Sequence, residues 1–323
     1  MSRLKYWNRI FKAYVLGKTS HLSFWHGIPA ANEKMKTDEL GQYYMPFHYK
    51  ADYLDYYDDN GIPMLDYQGH VGLQYNPIAI AQWGLGNYNL WCDTKEQERY
   101  DNFIKSAEWL VDNLEQNQAD LWVWMHHFDW EYRDTLKSPW YSALSQGQGI
   151  SLLVRAWDTT KNKKYFEAVQ RAVFSFYNDV NNGGVVYTDE DGNKWFEEAI
   201  VNPPTHILNG FLWATWGIYD LWLVTGDNKV KNLFDLATNT LSLNMQIFDC
   251  GYWSLYEQSG TKMKMLASPF YHSLHIVQLQ VMNRLTGKDI FIDYANHWTK
   301  YLNSNINKYR AVVYKSIFKL FYY

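Results

Sequence analysis

Residues 195–221 read WFEEAIVNPPTHILNGFLWATWGIYDL, and the rest of the chain repeats their arrangement. Two adjacent carboxylates, Glu197 and Glu198, come at the end of a predicted strand, and a turn with two prolines follows at 202–204. After the turn the pattern predicts a helix that is apolar nearly all round and therefore buried. Polar side chains at the mouth of a buried helix are held on a stiff support. This stretch therefore predicts both a helical core and a site at its edge.

The same arrangement recurs four times, at intervals of roughly 65 residues. Each repeat has a threonine, followed by Lys or Gly, between two predicted helices. The helix before the threonine is apolar on most sides, which predicts burial. The helix after it has apolar residues at three- and four-residue steps, which predicts an outer position with one wet face. The four threonines are Thr94, Thr160, Thr225 and Thr286.

Four such helix pairs predict a mostly α protein with β-hairpins, folded as an incomplete (α/α) barrel or toroid. The pairs must stack because none of them can bury its apolar face alone. We expect three parts, namely an N-terminal arm and β-hairpin region at 1–70, the barrel at 71–310 and a C-terminal tail at 311–323. A short helix is predicted near Trp7–Leu16, and the tail is predicted to dock as a strand or short helix.

The residues between one helix pair and the next predict β-hairpins that all emerge at one rim of the barrel. Loops inserted on one face of a repeat array tend to carry function, so this rim is the predicted active face. An earlier hairpin is expected around DDNG at 58–61, with strands at about 52–57 and 62–67. The later hairpins are expected at 121–133, at 183–198 with an Asp-Gly turn at 191–192, and at 251–266 with Gly260.

Composition excludes several classes of protein. The net charge of −4 provides no basic field for nucleic acid. Two cysteines in 323 residues are no disulfide framework. No stretch approaches the roughly 20 apolar residues of a membrane helix, and the N-terminal residues match a signal peptide poorly. Aromatic residues make up 18% of the chain, which fits a large core or a cleft whose rings contact sugars.

Each predicted buried helix begins with a polar cluster, and the barrel geometry would bring these clusters to one central cleft. Glu198 is the candidate base and Tyr271 a candidate proton carrier. The candidate substrate-binding residues are Tyr75, Asn76, Gln82, Trp140, Gln146, Gln148, Arg155, His206, Asn209, Tyr256, His272 and His275.

Some candidates have structural alternatives. Arg155 lies in the apolar run LLVRAW and needs an anion, which is either a protein carboxylate or a substrate carboxylate. His272 and His275 stand three residues apart without a further ligand, which is a weak metal signal. No metal site is predicted.

Four blocks of sequence in a fixed order support a specific resemblance. They are YNPIAIAQWGL at 75–85, WYSALSQGQGISLLVRAW at 140–157, WFEE with PPTHILNGFLWATWGIYDL at 195–221, and YHSLHIVQLQ at 271–280. Together they resemble the catalytic C-terminal domain of the D-glucuronyl C5-epimerases of the heparin/heparan sulfate pathway. The resemblance implies an (α/α) barrel with hairpins at the cleft, a homodimer, and inversion of D-glucuronate to L-iduronate in a heparosan- or heparan-type polymer.

The resemblance also implies the reacting residues. The family's glutamate falls on Glu198, and the tyrosine that opens its Tyr-His-x-x-His motif falls on Tyr271. A further family tyrosine falls on position 199, which is Ala199 here. We interpret Ala199 as a substitution that traps substrate, because the surrounding motifs are intact; the alternative is a natural homologue with altered chemistry. Loss of one general acid/base group predicts a turnover lower by about two to four decades.

Inversion at C5 needs a proton carrier on each face of the sugar ring, and no cofactor is needed by this route. The site must also neutralise the substrate carboxylate, for which Arg155, His206, Lys262 and Lys264 are candidates. A uronate polysaccharide lyase is an alternative because it begins with the same proton abstraction. A non-catalytic polysaccharide-binding homologue is another.

A glycoside hydrolase would need a second carboxylate across the sugar. Glu197 and Glu198 are adjacent on a strand and point to opposite faces, so they are not such a pair. Asp129 or Glu131 would have to serve instead.

The expected partners are an acidic, glucuronate-containing polysaccharide and a second copy of the chain, with no nucleic acid and no membrane segment. The expected location is the cytoplasm for a prokaryotic protein and the Golgi lumen for a trimmed eukaryotic domain.

Overall fold

The computed structural model describes residues 27–132 and 135–322. The helix predicted near Trp7–Leu16 lies outside the described residues. Within them the chain is mostly helical with short antiparallel hairpins, as the sequence predicts. None of the helices in these two ranges is both long and apolar enough to cross a lipid bilayer.

Four helix pairs form the body. A four-residue helix, α1 (His48–Ala51), precedes them. The first helix of each pair, here called the leading helix, is 18 residues long. The leading helices are α2 (Pro77–Thr94), α4 (Ala143–Thr160), α6 (Leu208–Thr225) and α8 (Pro269–Thr286). The trailing helices are α3 (Gln97–Asp112), α5 (Lys163–Ala172), α7 (Asn228–Asn244) and α9 (Asp289–Asn303).

Each trailing helix packs along its leading helix, and successive leading helices pack against one another from α2 to α8. In the described residues α2 and α8 form no comparable interface, so the ring stays open. The prediction of an incomplete (α/α) toroid of four pairs is therefore confirmed. The leading helices are buried along most of their length because they are apolar on most sides. The trailing helices have one solvent-exposed face because their apolar residues lie on the other face.

The repeated threonine ends each leading helix. Its hydroxyl donates to the carbonyl four residues earlier, over 3.0 Å in Thr94 and 2.6 Å in Thr286. The same oxygen accepts from the backbone N–H two residues later, next to the start of the trailing helix. The residue after the threonine has the left-handed conformation that closes a helix. These residues are Lys95, Lys161, Gly226 and Gly287.

The insertions between pairs emerge where the leading helices begin, and most of them are hairpins. The hairpin around 58–61 is confirmed, with shorter strands than expected and a third strand that the sequence does not predict. The strands are β1 (Tyr56–Tyr57), β2 (Pro63–Asp66), β3 (Leu73–Gln74), β4 (Leu114–Gln116), β5 (Trp122–Trp124), β6 (Trp130–Glu131), β7 (Thr135–Leu136), β8 (Val186–Thr188) and β9 (Lys194–Phe196). The pairs β4–β5, β6–β7 and β8–β9 are antiparallel. The hairpin at 183–198 is thus confirmed, whereas the one expected at 121–133 is wrong, because its strands β5 and β6 pair with strands outside that range.

The hairpin predicted at 251–266 is wrong. This segment has only isolated bridges, from Asp249 to Ser254 and from Leu255 to Leu266. Residues 252–255 are all buried, whereas a hairpin on a rim would alternate between a buried and a wet face. The segment is therefore an irregular loop folded into the body.

The C-terminal tail belongs to one long helix, α10 (Asn305–Tyr322), and not to a strand. The predicted boundary at 311 falls inside this helix. The described residues also contain three 3₁₀ turns, at Val173–Tyr177, Val180–Asn182 and Met245–Phe248. The division into parts at 1–70, 71–310 and 311–323 stays a prediction.

Helices α4 and α6 approach backbone to backbone. A Cβ added to Gly147 would lie 2.9 Å from the carbonyl oxygen of Ala214, and one added to Gly217 would lie 2.6 Å from the Cα of Gly147. Only glycine fits at such distances. This interface fixes the position of α6, whose first turns contribute to the candidate site.

Candidate active site

A cavity of about 460 Å³ lies at the N-terminal ends of the four leading helices. One residue from each of the four predicted polar clusters lines it, namely Asn76, Trp140, Glu198 and Tyr271. The predicted convergence of the clusters is therefore present. Because the N-terminal ends of helices carry partial positive charge, this rim favours a negatively charged ligand.

Glu198 reaches the cavity because of its place after strand β9. The strand ends at Phe196, and Glu197 and Glu198 then point in opposite directions, as the alternation predicts. Glu197 is buried against His206, whose ring Nδ1 contacts one carboxylate oxygen and whose backbone N–H donates to the other over 3.1 Å. Burial, and then the charge of Glu197, raises the pKa of Glu198 to about 8. Glu198 is therefore largely protonated in the free protein at neutral pH.

Tyr271 lies in the first turn of α8. Ser268 caps this helix and accepts from the backbone N–H of Tyr271 over 3.2 Å. The ring of Tyr271 contacts the ring of Tyr256, edge to face, at 4.9 Å between centroids. Tyr256 also lines the cavity, so two phenol side chains stand together on its wall.

Three further predicted residues line the cavity. Asn76 caps α2 through its side-chain oxygen and donates to the hydroxyl of Tyr67 over 2.6 Å. Trp140 stacks on His126 at 3.8 Å between ring centroids. Asn209 has its side-chain nitrogen 3.4 Å from Glu198, and its side-chain oxygen has no hydrogen-bond partner among the described residues.

Arg155 is not brought to the cavity. It is 1% exposed and forms a two-pronged ion pair with Asp220, over 2.7 and 3.0 Å. The protein carboxylate is thus its partner, and the substrate-binding prediction for Arg155 is corrected. The expected anion comes from α6, 65 residues further along the chain, which no local pattern reveals.

The polar residues Tyr75, Gln82, Gln146 and Gln148 are also away from the cavity wall. Gln146 is fully buried and holds β5 through a bond from the backbone N–H of Trp124 over 2.9 Å. Gln148 donates to the hydroxyl of a buried tyrosine. Tyr75 faces outward and donates to Asp58 over 2.7 Å. Gln82 is buried in α2, and neither of its amide atoms has a partner in the described part of the chain.

The three predicted histidines have structural partners. His206 pairs with Glu197 and stacks on Trp195 at 4.4 Å. His272 and His275 share the hydroxyl of Ser254, over 2.8 and 3.1 Å. Burial lowers the pKa of His272 to about 3, so its ring is neutral. Across residues 27–132 and 135–322 no group of three or more His, Cys, Asp or Glu side chains could hold a metal ion.

Ala199 stands beside the cavity and not on its surface. It is 3% exposed and belongs to a small apolar cluster with Leu136 and Ile207. Trp140 and Tyr256, which do line the cavity, pack against this cluster. A larger side chain at position 199 would therefore have to push between residues of the cavity wall.

A comparison with known families agrees with this geometry. The profile of the D-glucuronyl C5-epimerase C-terminus matches residues 116–300, which is more than half of the chain. The chain belongs to this family.

Two relatives show how far the similarity of this C5-epimerase family member extends. It is 29% identical over 226 residues to a D-glucuronyl C5-epimerase of Caenorhabditis elegans. The aligned region makes up 64% of this chain and 36% of the worm protein. It is 26% identical over 215 residues to an uncharacterized protein of Methanocaldococcus jannaschii. That alignment makes up 63% of this chain and 68% of the archaeal one. The chain thus spans about a third of the worm protein's length.

Solved structures give more distant matches to the family member. A cellobiose 2-epimerase from Spirochaeta thermophila matches with a TM-score of 0.49 at 10% identity, over 68% of this chain and 57% of that one. A family 76 glycoside hydrolase from a bovine Bacteroides thetaiotaomicron strain matches with a TM-score of 0.43 at 14% identity, over 65% and 44%.

Several cavity residues of the family member are absent from the sequence-based prediction. Trp213 is 3% exposed, and its ring N–H has no partner among the described residues. It lies one turn after Asn209, so helical spacing alone could have indicated it. Lys50 and Tyr67 come from the region before the barrel, where the sequence predicts only strands and loop. Their positions depend on how that region folds back over the helices.

Gly210 fixes where the Glu198 side chain runs. A Cβ on Gly210 would lie 2.8 Å from the Cβ of Glu198 and would also collide with its carboxylate. We expect Gly210→Ala to displace Glu198 and to lower the pKa of its carboxyl, because the displaced group gains contact with water. Carbon-13 NMR titration of the glutamate carboxyls measures this pKa.

Gly217→Ala is the matched control on the same helix. Its added methyl would meet the backbone of Gly147, which cannot move aside. It should destabilise the fold by about 1–3 kcal/mol or more and leave the Glu198 pKa unchanged. An unchanged Glu198 titration in Gly210→Ala would contradict the positioning role.

Proposed function

We propose that this chain is a C5-epimerase that inverts D-glucuronate to L-iduronate within a heparosan-type polysaccharide. Family membership supports an epimerase that acts on a glucuronyl unit. The observation that carries the proposal is the shared cavity of Glu198 and Tyr271, the two residues that the sequence offers as proton carriers. Its volume is in the range of pockets that hold small ligands, which is room for a short stretch of sugar chain.

The reaction begins with removal of the proton at C5, which is α to the carboxylate and very weakly acidic. A base with a raised pKa is a stronger base toward such a proton. The carboxylate form of Glu198 fits this role, because burial raises its pKa to about 8. Tyr271 then returns a proton to the opposite face. The partial positive charge of four helix ends favours the negative charge that develops on the substrate.

The residues that line the cavity do not fit a glycoside hydrolase. Among the described residues that line it, Glu198 is the only carboxylate. Asp129 pairs with Lys137 over 2.7 Å on the surface, and Glu131 is exposed on β6. A pair of carboxylates at a hydrolytic separation is therefore missing from this wall.

The test is hydrogen exchange at C5. The protein is incubated with heparosan in deuterium oxide, and NMR of the polymer measures deuterium at C5 and the appearance of iduronate. Both are expected. Absorbance of an unsaturated uronate would instead indicate a lyase, and binding without exchange would indicate a polysaccharide-binding protein.

We expect Ala199→Tyr to raise the rate of C5 exchange by about two to four decades, the scale of one general acid/base group. The new side chain would start from the apolar cluster of Ala199, against which the cavity residues Trp140 and Tyr256 pack. Ala199→Phe is the matched control, because it adds the same ring without the hydroxyl. Equal rates in both variants and the parent would refute a missing proton carrier at position 199.

The family resemblance also supports a homodimer as part of the proposal. Sedimentation equilibrium of the purified chain tests this directly, and a monomer at micromolar concentration would count against it.

A further inference from the structure

Glu197 has no part in the proton transfers proposed above, yet it is buried directly before Glu198 in the chain. It is only 1% exposed, and both of its carboxylate oxygens contact His206. One oxygen accepts from the backbone N–H of His206 over 3.1 Å, and the other contacts Nδ1 of the His206 ring. A buried carboxylate needs such partners, and two contacts to one residue fix its orientation.

The backbone of Glu197 joins two further elements. Its N–H donates to the carbonyl of Val185, next to β8, over 2.9 Å. Its carbonyl accepts from the N–H of Ala143, the first residue of α4, over 2.8 Å. The end of the β8–β9 hairpin, the start of α4 and the segment before α6 therefore meet at this one residue.

His206 has a backbone conformation that depends on its contacts. Its φ of +48° lies in the left-handed region, which costs a residue with a side chain free energy and persists only where the surroundings enforce it. Glu197 contacts both its backbone N–H and its ring, and the ring stacks on Trp195 at 4.4 Å between centroids. Helix α6 begins two residues later, at Leu208. Glu197 therefore fixes how the chain enters α6.

The first turn of α6 carries the neighbours of Glu198. The side-chain nitrogen of Asn209 lies 3.4 Å from the Glu198 carboxyl. Gly210 leaves the space through which the Glu198 side chain runs, because a Cβ there would lie 2.8 Å from the Cβ of Glu198. A displaced helix start would therefore change the surroundings of Glu198 directly.

The segment around His206 also holds the loop that carries Tyr256 on the cavity wall. The N–H of Leu208 donates to the carbonyl of Tyr256 over 3.2 Å. The N–H of Gln258 donates to the carbonyl of Thr205 over 2.6 Å. These two bonds lie on either side of His206 in the chain, so the contact with Glu197 is placed where it can hold both walls.

We propose that Glu197 is a positioning residue of the cavity. Through His206 it locks the start of α6 onto the end of β9 and thereby keeps the Glu198 carboxyl in its buried place. This inference rests on the proposed function for the role of Glu198 as the base, but the state of the Glu198 carboxyl can be measured without any substrate.

The electrostatics of the site agree with this role. Burial, and then the charge of Glu197, raises the pKa of Glu198 to about 8. Both effects disfavour the ionised form, and both depend on Glu197 in its present place. The other titratable groups on the cavity wall are His48, Tyr49, Lys50, Tyr67, Tyr256 and Tyr271. A substitution of Glu197 leaves all of these side chains in the protein.

Carbon-13 NMR titration of the glutamate carboxyls in two variants tests the proposal. Glu197→Gln is nearly isosteric, so the fold should be retained, but it removes the charge. It should lower the pKa of Glu198 by about one unit. Glu197→Ala also removes the contacts with His206 and should lower this pKa further, because water then reaches the carboxyl. In Glu197→Gln the inflection in the pH profile of C5 exchange should move to lower pH by the same amount.

Asp189→Asn is the matched control in the same hairpin. Asp189 accepts from the ring N–H of Trp195 over 2.9 Å, and its side-chain bonds in the described part of the chain stay within residues 189–195. This variant should weaken the hairpin and leave the Glu198 titration as in the parent. An unchanged Glu198 pKa in both Glu197 variants, or an equal shift in Asp189→Asn, would overturn the proposal. A shifted Glu198 titration in a protein that exchanges no hydrogen at C5 would refute only the epimerase function.

Discussion

Replacing Glu198 by glutamine is expected to lower the rate of C5 exchange on heparosan by about 10²- to 10⁴-fold. Glutamine keeps the shape of the side chain and the 3.4 Å approach of Asn209, but it cannot accept a proton from carbon. Deuterium incorporation at C5, followed by NMR, measures the loss. Because the change is nearly isosteric, the fold should be retained.

The pH profile gives Glu198 a signature of its own. Only its ionised form is a base, and its pKa is raised to about 8. The exchange rate should therefore rise with pH from 6 to about 8 and level off above that value. In Glu198→Gln the residual rate should lack this inflection.

Glu190→Gln is the control, because Glu190 is exposed at the tip of the same β8–β9 hairpin. Its rate and pH profile should match the parent. An unchanged rate in Glu198→Gln would remove Glu198 from the chemistry, and the two-sided mechanism with it.

The second large effect concerns stability. Asp220→Ala is expected to lower the free energy of unfolding by about 3–5 kcal/mol, because it leaves the charge of Arg155 buried without its anion. Asp220 also accepts from the hydroxyl of Tyr44 over 2.6 Å. Urea denaturation followed by tryptophan fluorescence measures the change.

Two comparisons isolate the cause. Asp235→Ala removes the partner of Lys231 from a half-exposed pair on α7 and should cost no more than about 1 kcal/mol. The double variant Arg155→Met with Asp220→Leu removes both charges, so it should lose less stability than Asp220→Ala alone. A double variant as unstable as the single one would show that packing, and not the stranded charge, dominates.

The helices and turns could be predicted because their causes are local. Thr286 and its three counterparts end a helix through bonds within a few residues, so the repeat is visible in the sequence. The hairpin at 183–198 follows from its Asp-Gly turn. The loop at 251–266 has similar local signals. Its consecutive residues are nevertheless buried by contacts with the body, and a local signal does not predict such contacts.

The candidate site divides in the same way. Strand alternation separates Glu198 from Glu197, and the family resemblance selects Glu198 as the one expected in the cleft. Gln146 and Arg155 have polar side chains of the kind found in binding sites. Each of them, however, binds a protein partner that is distant in sequence. Lys50 has no local signal, because only the packing of α1 on α2 brings it to the cavity.

The sequence by itself determined the four-pair toroid and the rim at which its insertions emerge. These depend on hydrophobic period and turn chemistry, which act over a few residues. Only the tertiary structure decided which buried polar groups face the cavity and which face one another. A buried charge takes whichever partner the fold brings within about 3 Å, and for Arg155 that partner is 65 residues away.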